Sequence, residues 1–248
     1  MLPFFRKIRK QMADENRAFQ YFRYAIGEIV LVVIGILIAL YINNWNESRI
    51  DRKFEQDMLK EVANSLRSDM VYLDMISRRN EVKENALREM YEMIESGKEY
   101  PDSVLLKIYN EATLKNAFSY NKGGYESIKS VGLDRISDEK VRAGLIQLYE
   151  SDLPVRTQIM MYFQEYQDTN QDVVGLHNAL WTRIITTASG GQKKIVSRPK
   201  NKDFLKQQEL IERLKIEQDV MSFNKMHIAL LKQMIDEGIQ LVENNLAL

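Results

Sequence analysis

The pattern of apolar and polar positions is dominated by one run, Ala25–Ile42, AIGEIVLVVIGILIALYI, broken by a single acid, Glu28. A helix crossing the hydrocarbon core needs roughly 20 mostly apolar residues, with a floor near 17. The run meets that floor. Tyr21, Phe22 and Tyr24 precede it, and Tyr41 and Trp45 follow. Aromatic rings at both ends are the belt expected where a span meets headgroups. Asn43, Asn44, Asn46 and Glu47 then return the chain to water. The pattern predicts a transmembrane helix over 25–42, with Tyr24, Tyr41 and Trp45 as interfacial anchors. The rival reading is a cleaved signal peptide, which requires a short n-region and an A-x-A-like cleavage site. The sequence ALYINNW offers no such site. The run reads as an uncleaved signal anchor.

Beyond the span no Pro or Gly occurs between Gly35 and Gly97, so a helix is expected to run to about Ser96. Fifty residues of helix would reach roughly 75 Å. From Leu59 the apolar positions keep a 3–4 spacing: Val62, Leu66, Leu73, Ile76, Leu87, Met90, Ile94. Asp69, Asn80 and Lys83 take the other seam positions. The stripe is weakest between Ile76 and Leu87, and reads as coiled-coil-like or bundle-facing, with polar interruptions that fix register.

Shorter helices are expected over 103–114 and 125–131, the second stopped by Gly132, after a loop at 121–124. Ser137 is the expected N-cap of the next helix, with Asp138 and Glu139 favourable at its positive end. Pro154 opens a helix through Met160, Phe163 and Tyr166 toward Ile184. Residues 188–201 read as loop. A final long helix is expected from Lys202 to about Asn245, with Gly238 as its weak point. No strand pattern of period two rises above noise, and a short hairpin in the middle of the chain is the disfavoured alternative. The expected fold is all-α: an N-terminal transmembrane helix, then an elongated extracytoplasmic helical bundle whose first and last long helices pair antiparallel.

Charge gives the orientation. The chain is formally neutral. Before Tyr24, however, Arg6, Lys7, Arg9, Lys10, Arg17 and Arg23 face only Asp14 and Glu15. Cations on the short side predict a cytoplasmic N-terminus. The expected division is a basic stub at 1–24, the span at 25–42 and an external domain at 43–248. In the stub, Phe4, Phe5, Ile8 and Met12 fall near one helical face. Arg6, Lys7, Arg9 and Lys10 lie between them and suit the membrane surface. A docking peptide for a cytoplasmic partner is the alternative. Zero cysteines are compatible with an oxidising periplasm.

The stretch FFRKIRK followed by YAIGEIVLVVIGILIALYINNWNE resembles an uncharacterised family of single-pass membrane proteins common in Bacteroidota, one of the domain-of-unknown-function families. GGYESIKSVGLDRI and LIQLYE are similar to that family's middle motif. The likeness is strong from Met1 to about Glu61 and weaker beyond. It implies a cell-envelope protein of a Gram-negative bacterium, and with the charge-derived topology the expected location is the inner membrane, with the C-terminal domain in the periplasm. It implies no activity.

At 100° per residue, Gly35 and Ala39 each fall about 20° from Glu28 on the helical wheel. The three share one stripe. Gly35-x-x-x-Ala39 is a small-xxx-small pair that lets helix backbones approach closely. Glu28 has three readings. It is solvated at headgroup level beside Arg23 or a lipid amine, it contacts a second span, or it carries protons or ions. The last is disfavoured because no polar side chain follows before Tyr41.

Other chemistry is thin. His177 and His227 form no H-x-x-x-H pair, and packed or solvated histidines are the expectation, with no metal. No nucleotide-binding or nucleophile-elbow motif occurs. The basic loop Lys193, Lys194, Arg198, Lys200, Lys202 suits an anionic glycan or lipid, with a solvated loop as the default. The neutral balance argues against nucleic acid. No cofactor is expected. The first functional expectation is a non-enzymatic assembly or accessory subunit whose partners are the bilayer and either a second copy or another envelope membrane protein. The second is a periplasmic sensor or ligand-binding bundle signalling through a partner. An enzyme is disfavoured.

Overall fold

The computed structural model describes residues 18–187 and 192–246. The chain divides into two compact units, Met1–Glu55 and Gln56–Leu248. Helix α1, Ala18–Ser96, makes up the described part of the first unit and continues into the second.

In the first unit the apolar side chains from Ile26 to Ile42 are exposed throughout, Leu31 at 69 % and Ile42 at 57 %. The helix is long and apolar enough to cross a membrane. Among the described residues nothing buries its apolar stretch. Fourteen successive residues of such composition in water would be a large hydrophobic liability, whereas lipid removes it.

In the second unit α1 is followed by α2, Asp102–Ala112, and α3, Gly123–Val131. Gly132 stops α3 at φ 110°. Helix α4, Glu139–Gln147, passes through a π turn, Leu148–Asp152, into α5, Leu153–Thr169, which has Pro154 in its first turn. Then come α6, Gln171–Leu180, strands β1, Trp181–Thr187, and β2, Lys193–Pro199, and helix α7, Gln208–Leu246.

Helices α1 and α7 run antiparallel. Arg67 pairs with Glu243, Asp74 with Lys232 at 2.7 Å and Glu84 with Lys225 at 2.6 Å. Numbers rise along one helix as they fall along the other. Two apolar cores lie along this pair. In the first, Leu59, Val62, Leu66 and Leu73 meet Ile128, Ile228, Ile235 and Val242. In the second, Leu87, Met90 and Met93 meet Leu105, Tyr109, Trp181, Phe204 and Leu214. Gly238, the expected weak point, is instead a packing position: a Cβ there would stand 2.7 Å from Leu148 Cδ2.

The all-α expectation needs correction. β1 and β2 form an antiparallel hairpin with Ile184 opposite Val196 and Ile185 opposite Ile195. β1 is mostly β-branched, WTRIITT, which suits a pleated surface better than a helix. The helix expected to reach Ile184 is broken at Asn170, whose side chain accepts from the Asp172 and Val173 amides and caps α6. It then ends at Leu180. The expected loop 188–201 contains β2. The final helix begins at Gln208, after a 3₁₀ turn at Phe204–Lys206. The cap of α4 is Asp138 rather than Ser137. Its carboxylate accepts from the Lys140 and Val141 amides.

Candidate functional site

Two sets of residues are candidates: the stripe on the apolar run of α1 and a polar layer buried between the two cores of the helical domain.

In the apolar run, Glu28, Gly35 and Ala39 all lie within α1, so the helical repeat places them on one stripe. Glu28 is half-buried, Ala39 is exposed, and no atom comes within 4 Å of a Cβ built on Gly35. Tyr24 is half-buried, while Tyr41 and Trp45 are exposed at 74 % and 60 %. The Arg49 guanidinium sits 5.7 Å from the centre of the Trp45 ring, a cation–π pair at the end of the apolar run. Arg6, Lys7, Arg9 and Lys10 lie outside the described residues.

The polar layer begins with Lys83 on α1. Its ammonium donates to Glu217 of α7 at 2.5 Å and to the Leu114 carbonyl at 3.2 Å. Arg213, one turn before Glu217 on α7, donates to the other carboxylate oxygen and to the Val173 carbonyl. Lys83 and Glu217 are each 1 % exposed and Arg213 is 5 % exposed. Burial pulls the Lys83 ammonium below its ordinary range, and the Glu217 charge holds it up in part. Beside them the Asn116 amide donates to the Asn80 side chain, both buried. This is a set of two cations on one anion, closed off from water and tied to backbone carbonyls. It holds three helices in one register rather than presenting a reactive group.

Asn80 and Lys83 were expected at polar seam positions, and the structure buries both. Glu217 and Arg213 were not singled out. Glu217 follows Leu214 by three and precedes Met221 by four, so it occupies the α7 seam. An acid on that seam, set against Lys83 on the other, was the available signal.

The histidines pack. His177 Nδ1 lies 3.1 Å from the Tyr109 hydroxyl, in a cluster with Trp181 and Phe204. Burial, and then the Arg213 charge, lower the His177 pKa. Burial pushes the Tyr109 hydroxyl up to about 12. His227 is buried with its ring 4.1 Å from that of Phe223. Among the described residues no three His, Asp or Glu side chains gather as a metal site.

The stretch GGYESIK docks α3 onto α1. Gly124 comes so close that a Cβ would stand 2.7 Å from the backbone of Glu61 and Val62. Its amide donates to Ser65 Oγ at 3.3 Å. Asp69, one turn further along α1, accepts the Asn121 amide on both oxygens at 3.0 Å. Tyr125 stacks on Tyr149, with ring centres 4.5 Å apart. Its hydroxyl donates to Glu150, which also takes Lys129 at 2.6 Å.

No curated protein and no solved structure matches this chain. A family of unknown function, DUF6090, matches residues 28–186. The match opens at Glu28, takes in most of the apolar run and of α1 and helices α2 to α6, and ends within β1. It covers well over half of the 248 residues, so the chain belongs to the DUF6090 family, whose function is unknown.

Proposed function

We propose that the protein is a non-enzymatic, single-pass subunit of the bacterial inner membrane, with its N-terminus in the cytoplasm and its helical domain in the periplasm. In this reading it acts as an assembly or accessory subunit, bound to a second copy of itself or to another envelope membrane protein. The observation that carries the reading is the stripe of Glu28, Gly35 and Ala39, along which nothing in the described chain comes within 4 Å of a Cβ built on Gly35 and Ala39 is exposed. A small-residue stripe supports close approach of a second helix, and an intramembrane carboxylate favours a protein or water neighbour over lipid. The interior supports the same reading, since its strongest charges are committed to one another.

Native mass spectrometry and crosslinking of the full chain in mild detergent test this. The expected result is an oligomer or a co-purifying membrane protein, lost in Gly35→Leu and Ala39→Leu, while Glu28→Gln leaves folding intact. A strictly monomeric, partner-free protein overturns it.

One observation favours a second reading, that of a ligand-binding domain. An open cleft of about 680 Å³ lies between α6 and α7, lined among others by Asp172, Leu176, Glu209, Glu212, Lys215 and Ile216. Its three carboxylates outnumber the single Lys215 ammonium, and with Leu176 and Ile216 beside them the lining suits a small amphipathic cation. Thermal-shift screening of such compounds against wild type and Glu212→Gln tests it.

A further inference from the structure

Among the described residues the hairpin and its flank carry charge of one sign only. Residues 181–202 carry Arg183, Lys193, Lys194, Arg198, Lys200 and Lys202 and no acid, in a protein whose total charge is zero. All six cations are exposed. Arg198 reaches a carboxylate of α2, Asp102, at 3.8 Å.

The register shows how apolar and basic groups combine. Residues opposite one another in an antiparallel pair point to the same face, and faces alternate along each strand. Ile185 is paired with Ile195, Arg183 with Ser197 and Thr187 with Lys193, so these six share a face. Ile185 and Ile195 are 69 % and 67 % exposed, side by side, with Arg183 and Lys193 flanking them. On the opposite face Thr182, Ile184, Thr186 and Val196 are half-buried, and the exposed Lys194 and Arg198 stand across from Thr186 and Thr182. The outward face therefore presents two large aliphatic side chains between cations.

We propose that this face is a docking surface for an anionic phospholipid membrane. The cations complement phosphate headgroups. The isoleucines choose between anions: they gain by leaving water for the acyl boundary, whereas a soluble polyanion has nothing apolar to offer them. The inference is independent of self-association through the span.

The test uses the full chain in nanodiscs of neutral phosphatidylcholine, mixed with separate vesicles and floated on a density gradient. Vesicles containing phosphatidylglycerol bring the protein up with them, and pure phosphatidylcholine vesicles do not. The pair Arg183→Gln with Lys193→Gln lowers vesicle affinity roughly tenfold or more. The pair Ile185→Asn with Ile195→Asn, its fold checked by circular dichroism, lowers it by a comparable factor. Flotation that is absent, or that ignores headgroup charge, overturns the proposal. So does full binding by the isoleucine variant together with displacement by soluble polyphosphate, which would identify a polyanion site instead.

Discussion

Lys83 and Glu217, 134 residues apart in sequence, meet at 2.5 Å with each side chain 1 % exposed. Arg213 shares the same carboxylate. The arrangement is asymmetric, because one anion answers two cations. Removing Lys83 leaves a balanced pair, whereas removing Glu217 leaves two like charges buried together.

Glu217→Gln is therefore expected to destabilise the domain by about 3–5 kcal/mol, the usual cost of breaking a buried pair from one side. Lys83→Met is expected to cost less, about 1–2 kcal/mol, chiefly through the Leu114 carbonyl left without its donor. Urea unfolding of both variants in detergent checks the order. Equal costs would mean that the two cations do not share the carboxylate.

At Gly124 even one methyl group has no room, since its nearest neighbours are backbone atoms of α1 rather than a movable side chain. Gly124→Ala is expected to push α3 off α1 and to cost about 1–3 kcal/mol as overpacking. The loss of stacking between Tyr125 and Tyr149 would appear in the near-ultraviolet circular dichroism. An unchanged melting temperature contradicts the close approach.

Asp69 gives a pH dependence. Burial raises its carboxyl to about 6, against a smaller lowering effect of the Asn121 amide. Because the folded value lies above the unfolded one, the native state holds the proton between about pH 4 and 6 while the unfolded state has released it. This group's contribution is thus full at low pH and is lost as pH rises through about 6. The difference between the two states corresponds to about 3 kcal/mol, which solvent screening of the carboxyl brings down to on the order of 2 kcal/mol. Unfolding measured from pH 4 to 7 should show that decline in wild type and not in Asp69→Asn.

His177 runs the other way. Its folded pKa is lowered by burial and by Arg213, so the unfolded chain takes up a proton first as the pH drops. The stabilising contribution is full above about pH 6.5 and falls below it. Imidazole nitrogen shifts in an NMR titration should report a neutral ring hydrogen-bonded to Tyr109 at pH values where a free histidine is charged.

Much of this architecture is legible in the residues. The 3–4 spacing from Leu59 identifies the buried face of α1, and Leu59, Val62, Leu66, Leu73, Ile76, Leu87 and Met90 are all buried. Asp69, Asn80 and Lys83 fall on that face by the same count. The hairpin was not legible. β1 alternates only weakly, and β2 begins with two lysines and ends in Ser-Arg-Pro. Such a strand looks like a solvated loop until its partner supplies the ladder. The α4 cap shows a finer ambiguity: Ser137 and Asp138 are both good capping residues, and backbone angles decided between them.

What the sequence determined by itself is everything that depends on local spacing. This includes the apolar run and its aromatic ends, the stripe of Glu28, Gly35 and Ala39, the reach of α1 to Ser96, and the side that each long helix buries. Periodicity records which face leaves water, because a helix or strand repeats over a few residues. It does not record what that face meets. The pairing of Lys83 with Glu217, the room for nothing but hydrogen at Gly124, and the pairing of Ile185 with Ile195 were decided by tertiary structure. Each depends on the approach of a distant segment, and no local repeat encodes it.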